Sequence, residues 1–138
     1  MTIGMKRVLA LPFEDAVVRV PAVLAAQGFG ILTEIDLQQT LAQKLQVPFR
    51  RYRLFGACNS ELAEQALAAD LDAGVLLPCS VALYKDDDGR TVVTTVDPLQ
   101  SVSTEEGRLR TLAERVKVKL EAVLDQLMAS AAPEGARG

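Results

Sequence analysis

The sequence predicts an α+β fold. Its core would be a single curved, mostly antiparallel five-stranded sheet with one long C-terminal helix across one face, in the order β-α-β-α-β-α-β-β-α. Three observations predict it. The strand-like segments alternate apolar and polar residues instead of being apolar on both faces, which is the pattern of an antiparallel sheet. The middle helices are short, and Asp86-Asp87-Asp88-Gly89 marks a hairpin between the last two strands. Leu109, Leu112, Ala113, Val116, Leu120, Val123, Leu124 and Leu127 form a helical apolar seam of the kind one sheet face needs for burial.

Residues 2–11 read as the first strand, with Ile3, Met5, Val8, Leu9 and Leu11 set among Lys6 and Arg7. Pro12 suits a first helical turn, and Glu14 and Asp15 complement the N-terminal dipole. Phe13, Val17, Val20 and Leu24 recur at helical spacing; Pro21 is expected to kink or split this helix, and Gly28 to end it. Residues 30–35 read as the second strand, with Ile31, Thr33 and Ile35 on one side and Leu32 and Glu34 on the other.

Asp36 followed by Gln39 is a capping-box pattern opening a helix with Leu37, Leu41 and Leu45, which Pro48 ends. Residues 52–58 read as the third strand, with Tyr52, Leu54 and Cys58 against Arg53, Phe55 and Ala57. Asn59 or Ser60 caps the next helix, whose inner face is Leu62, Ala63, Ala66 and Leu67. Residues 70–74 are a connection. The fourth strand covers 76–84, with Leu77, Cys79, Val81 and Leu83 on one face and Pro78 at an edge, a bulge or the strand start. Residues 91–96 return as the fifth strand, and Asp97-Pro98 breaks it. Ser103 and Glu106 form a cap for a last helix over 104–128, in which Val118 lies opposite the seam. The expected organisation is one domain over 1–130 and a flexible tail over 131–138.

Composition excludes more function than it selects. A chain of 138 residues with 49% apolar and 24% charged residues has the make-up of one globular domain. The net charge of −3 disfavours nucleic acid, since Arg50-Arg51-Tyr52-Arg53 is the nearest thing to a basic footprint and reads as solvating a strand start. No apolar stretch reaches the length of an export signal core or a membrane span, so the expected location is cytoplasmic, with free thiols and no membrane partner. The chain has no His, which removes Ser-His-Asp and Cys-His catalysis and His-ligated zinc. No cofactor is implied, and no catalytic motif is present.

Several segments, taken in order, resemble one family: Gly28-Phe29-Gly30, Glu34-Ile35-Asp36, Lys44-Leu45, Tyr52-Arg53-Leu54, Gly56-Ala57-Cys58-Asn59, Leu76-Leu77-Pro78-Cys79 and Asp97-Pro98. Together they look like the bacterial and archaeal domain of unknown function 302, over roughly residues 2–103. The resemblance implies a TATA-box-binding-protein-like, helix-grip architecture and a homodimer. Relatives often carry Pro after the Cys-Asn pair and Asn after the Pro-Cys pair, where this chain has Ser60 and Ser80. The family carries over a fold and a surface, not a reaction.

The candidate site is built around the two cysteines. Cys58 closes one strand just before a helix N-terminus, where the dipole favours a thiolate, and Cys79 opens the next strand. One reading makes Cys58, Asn59, Cys79 and Ser80 the border of a ligand- or partner-binding cleft between sheet and long helix. The rival makes the cysteines a redox or metal-handling pair, and the plain alternative makes each a small buried apolar residue. Two thiolates do not complete a zinc site, so Glu34, Asp36, Asp97 or a dimer mate would have to contribute. Glu34 and Asp36 are also a candidate carboxylate pair or ligand contact, against the alternative that Asp36 caps its helix and Glu34 is solvated. The three acids at Asp86 to Asp88 lack the spaced ligands of a calcium loop and read as a solvated turn.

Overall fold

The computed structural model describes residues 3–101 and 107–130. Five strands form one antiparallel sheet in the order β1-β5-β4-β3-β2: β1 Met5–Leu9, β2 Gly30–Asp36, β3 Tyr52–Cys58, β4 Cys79–Lys85 and β5 Thr91–Thr95. The alternation that argued for an antiparallel sheet sorts its two faces. Phe55 and Ala57 of β3 pair with Val81 and Cys79 of β4, and Leu83 pairs with Val93 of β5. These residues, with Leu9, point into the main core, where Phe55, Ala57, Val81, Leu83 and Val93 are almost wholly buried.

The helices α1 (Phe13–Ala26) and α5 (Arg108–Ala129) cover that face. They bring Ala16, Val20, Val23 and Leu24 from one and Leu120, Val123, Leu124 and Leu127 from the other. The seam read from the sequence is therefore core, and Val118 is exposed on the opposite side. The N-terminal end expected for the last helix, with its Ser103 and Glu106 cap, lies outside the described residues, as does the expected tail over 131–138.

Four local expectations are corrected. Pro21 does not split α1, which runs through it. One helical hydrogen bond is lost there, and burial of Val20, Val23 and Leu24 on either side offsets that loss. In β2 the register slips between Ile31 and Thr33. This bulge puts Ile31, Glu34 and Asp36 on the face of Ala57, Phe55 and Arg53, and Thr33 and Ile35 on the other. The helix α2 (Leu37–Leu45) ends before Pro48, because Gln46 takes a left-handed conformation with φ 53° and donates its N–H to Ala42. The fourth strand begins at Cys79, since residues Leu71–Leu76 form a 3₁₀ turn and the Leu77–Pro78 peptide is cis.

The remaining helices are α3 (Ser60–Ala69) and the short α4 (Pro98–Ser101). The Asp86–Gly89 turn is held by its own groups: Asp86 accepts from the N–H of Asp88 and of Arg90, each at 2.9 Å, and its carboxyl sits below the usual carboxylate range because of those bonds. The three arginines before and in β3 are all engaged by carboxylates. Arg50 meets Asp87 at 2.6 Å, Arg51 meets Glu14, and Arg53 meets Glu34 and, at 3.7 Å, Asp36. On the second face of the sheet Tyr52 and Tyr84 are cross-strand partners with stacked rings 5.3 Å apart.

Candidate functional site

Strands β3 and β4 are neighbours, and their pairing brings the two cysteines to one end of the sheet. Cys79 sits opposite Ala57, one residue from Cys58. Both cysteines are free thiols and half-buried. Together with Asn59 they line one cavity of about 80 Å³ beneath α3, the 3₁₀ turn and the N-terminal half of α5. The rest of its wall is apolar: Phe29 and Ala57 at the sheet, Leu62, Ala63 and Ala66 from α3, Ala73, Leu76 and Leu77 from the turn, Val96 and Pro98 after β5, and Leu109, Leu112, Ala113 and Val116 from α5.

Local sequence explains how these groups are placed. α1 ends in a Schellman motif: Gly28, at φ +87°, donates to Ala25, and Phe29 donates back to Leu24 at 2.9 Å. The motif pairs Phe29 with Leu24 and drives the Phe29 ring inward, where it is 2% exposed and closes the cavity floor. Asn59 is the N-cap of α3, its Oδ1 accepting from the Leu62 N–H at 3.1 Å. Its Nδ2 lies against Gly28, where a Cβ would approach it to 3.0 Å. Gly56, which is buried, leaves room for Pro78: a Cβ there would stand 2.9 Å from the Pro78 ring. Small residues thus let the turn before β4 settle onto β3.

After β5, Asp97 is a turn residue with a second task. One oxygen accepts from the Leu99 N–H at 3.0 Å, and the other meets Lys117 of α5 at 3.0 Å. This largely shielded pair fastens α4 to α5 beside Val96 and Pro98.

The surroundings of Cys79 disfavour a charged sulfur. Burial, and secondarily repulsion from charge on Cys58, pushes the Cys79 thiol up to about 11. At neutral pH it is a neutral S–H, a small apolar wall group rather than a nucleophile.

The other predicted site residues lie elsewhere. Ser80 is exposed and pairs with Gly56 on the opposite side of the sheet from Cys79. Glu34 and Asp36 do share a face, as residues two apart on a strand must, but both engage Arg53, and Asp36 also caps α2 by accepting from Gln39 at 3.0 Å. Neither lines the cavity, and among the described residues no three metal-ligating side chains of Cys, Asp or Glu cluster. Phe29 and the α5 wall were named in the sequence reading but not assigned to the site. Phe29 was detectable as the apolar residue after a helix-ending glycine. The α5 residues carry no mark that separates cavity lining from core.

Comparisons with known proteins agree with this architecture. A search of curated proteins finds no match. Among solved structures, the crystal structure of an uncharacterized conserved protein DUF302 from Bacillus stearothermophilus superposes with a TM-score of 0.84 at 22% identity, covering 92% of this chain and 99% of that one. At that identity the likeness carries the fold alone. The sequence model of the family described as Domain of unknown function DUF302 matches residues 5–127. The chain therefore belongs to the DUF302 family.

Proposed function

We propose that this protein binds the apolar end of a small molecule in the cavity bordered by Cys58, Asn59 and Cys79. The observation that carries the reading is the cavity itself: a hollow of about 80 Å³ walled by hydrocarbon, two thiols and one amide. Size decides between occupants. The hollow is roughly half the ~150 Å³ that admits benzene, so it takes an aliphatic group of about three or four carbons. A partner's helix or strand is far too large for it, which favours a small ligand over a docked protein segment.

Against the rival redox or metal-handling reading, Cys79 is shielded with its thiol pushed up to about 11, and among the described residues no third Cys, Asp or Glu clusters with the two thiols. No catalytic step is proposed. Free thiols support a reducing, cytoplasmic setting. The exposed apolar residues Leu32, Ile35, Leu45, Val47 and Phe49, on and beyond the edge strand β2, support a homodimer, which light scattering at micromolar concentration tests directly. Among the described residues, no helix is long and apolar enough to cross a membrane.

The test is a nitrogen-15 amide titration with 1-butanol. Saturable shifts are expected at Ala57, Cys58, Ala63, Ala66 and Ala113, and Ala66→Leu, which fills the hollow, is expected to abolish them. Shifts that fail to saturate, or that persist unchanged in Ala66→Leu, overturn the proposal.

A further inference from the structure

Cys58 and Asn59 have a second outlook. Besides the apolar cavity they line an outer hollow of about 420 Å³ together with Gln27, Gly28, Gly30, Ser60, Glu61 and Lys119. The two spaces adjoin along both helices that frame them. On α5, Val116 faces the cavity and Lys119, three residues on and hence on the neighbouring face, reaches the outer hollow. On α3, Leu62 faces the cavity and Glu61, the residue before it, reaches the outer hollow.

The outer hollow therefore holds one cation and one carboxylate. Among the described residues neither has an ion-pair partner within 4.0 Å, and they do not pair with each other. This contrasts with Lys117, two residues earlier on the same helix, which is committed to Asp97.

Resting on the reading above, we propose that the cavity and the outer hollow form one composite site for a small aliphatic α-amino acid. The side chain enters the apolar cavity past Cys58, the carboxylate meets Lys119, and the ammonium meets Glu61. An apolar tail of about three carbons matches the inner volume, and a zwitterionic head matches an outer hollow with one charge of each sign. A fatty acid would leave Glu61 facing a like charge, and an amine would leave Lys119 so. A peptide terminus carries only one of the two charges.

Four probes with the same or a similar tail separate these cases in amide-shift titrations: norvaline, N-acetylnorvaline, norvalinamide and 1-butanol. Norvaline is expected to bind about tenfold tighter than 1-butanol, as two partly exposed ion pairs allow. The two singly charged analogues should fall between. Lys119→Gln should lower norvaline to the level of norvalinamide, and Glu61→Gln to that of N-acetylnorvaline, with 1-butanol unchanged by either. Norvaline binding no tighter than 1-butanol, or either variant weakening 1-butanol equally, overturns the composite site while leaving the apolar cavity reading intact. Failure of all four probes, 1-butanol included, overturns both.

Discussion

Replacing Gly28 with Ala tests how the end of α1 is coupled to the candidate site. Two costs are expected. Gly28 is at φ +87°, and an L-residue in the left-handed region costs roughly 1–2 kcal/mol. The new Cβ would also stand 3.0 Å from the Asn59 Nδ2, tighter than ordinary contact, and Asn59 must yield. If it yields by leaving the Leu62 N–H, the α3 N-cap is lost, at about 0.5–2 kcal/mol. Gly89→Ala is the built-in control, because Gly89 is at φ +78° with nothing within 4 Å of a new Cβ. Urea unfolding should therefore find Gly28→Ala more destabilising than Gly89→Ala by about 0.5–2 kcal/mol. In an Asn59→Ala background the excess should vanish, giving a coupling above the ~0.5 kcal/mol scatter of independent sites. Equal costs at the two glycines, or strict additivity of Gly28→Ala with Asn59→Ala, would refute the coupling.

Other outcomes follow from the same geometry. Cys79, raised from 9.0 to about 11, favours the folded state while protonated. That contribution is complete below pH 9 and is lost as pH rises toward 11, amounting to at most about 2–3 kcal/mol. The stability difference between the natural protein and Cys79→Ala should shrink over that window, and a pH-independent difference would contradict the assignment. In Cys58→Ser, thiol reagent at pH 7 should label the remaining Cys79 only slowly in the folded state and rapidly in urea; equal rates would count against a protonated, shielded thiol. Gly56→Ala should cost about 1–3 kcal/mol by overpacking against Thr33 and Pro78, read as a lowered urea midpoint. Leu120→Ala, deep between α5 and the sheet, should cost about 2–5 kcal/mol by cavity formation, and a loss below 1 kcal/mol would show that the core closes around the gap.

Local patterns were legible wherever one residue's chemistry settles one conformation. The turn at Asp86–Gly89, the caps Asp36 and Asn59, the stop at Gly28 and the seam on α5 all stand where the sequence places them. Period and capping depend on neighbours within about four residues, so a single chain carries that information. Antiparallel pairing was implied too, since alternating strands joined by short elements favour it, but the place of β1 beside β5 was not.

Other features are settled only by distant partners. The bulge in β2 turns Glu34 and Asp36 toward Arg53, because their strand must match β3 in register. Nothing within 30–36 signals it. The hollow at Cys58 is likewise a gap left where α3, the 3₁₀ turn and α5 meet the sheet end, and a gap has no residue of its own. The sequence alone determined the five strands and the main helices to within a few residues, and that the two thiols stand at the end of one strand and the start of the next. Only the tertiary structure decided that burial pushes the Cys79 thiol up and that a cation and a carboxylate from separate helices face one opening. Burial and proximity between remote residues arise from packing, which local pattern does not encode.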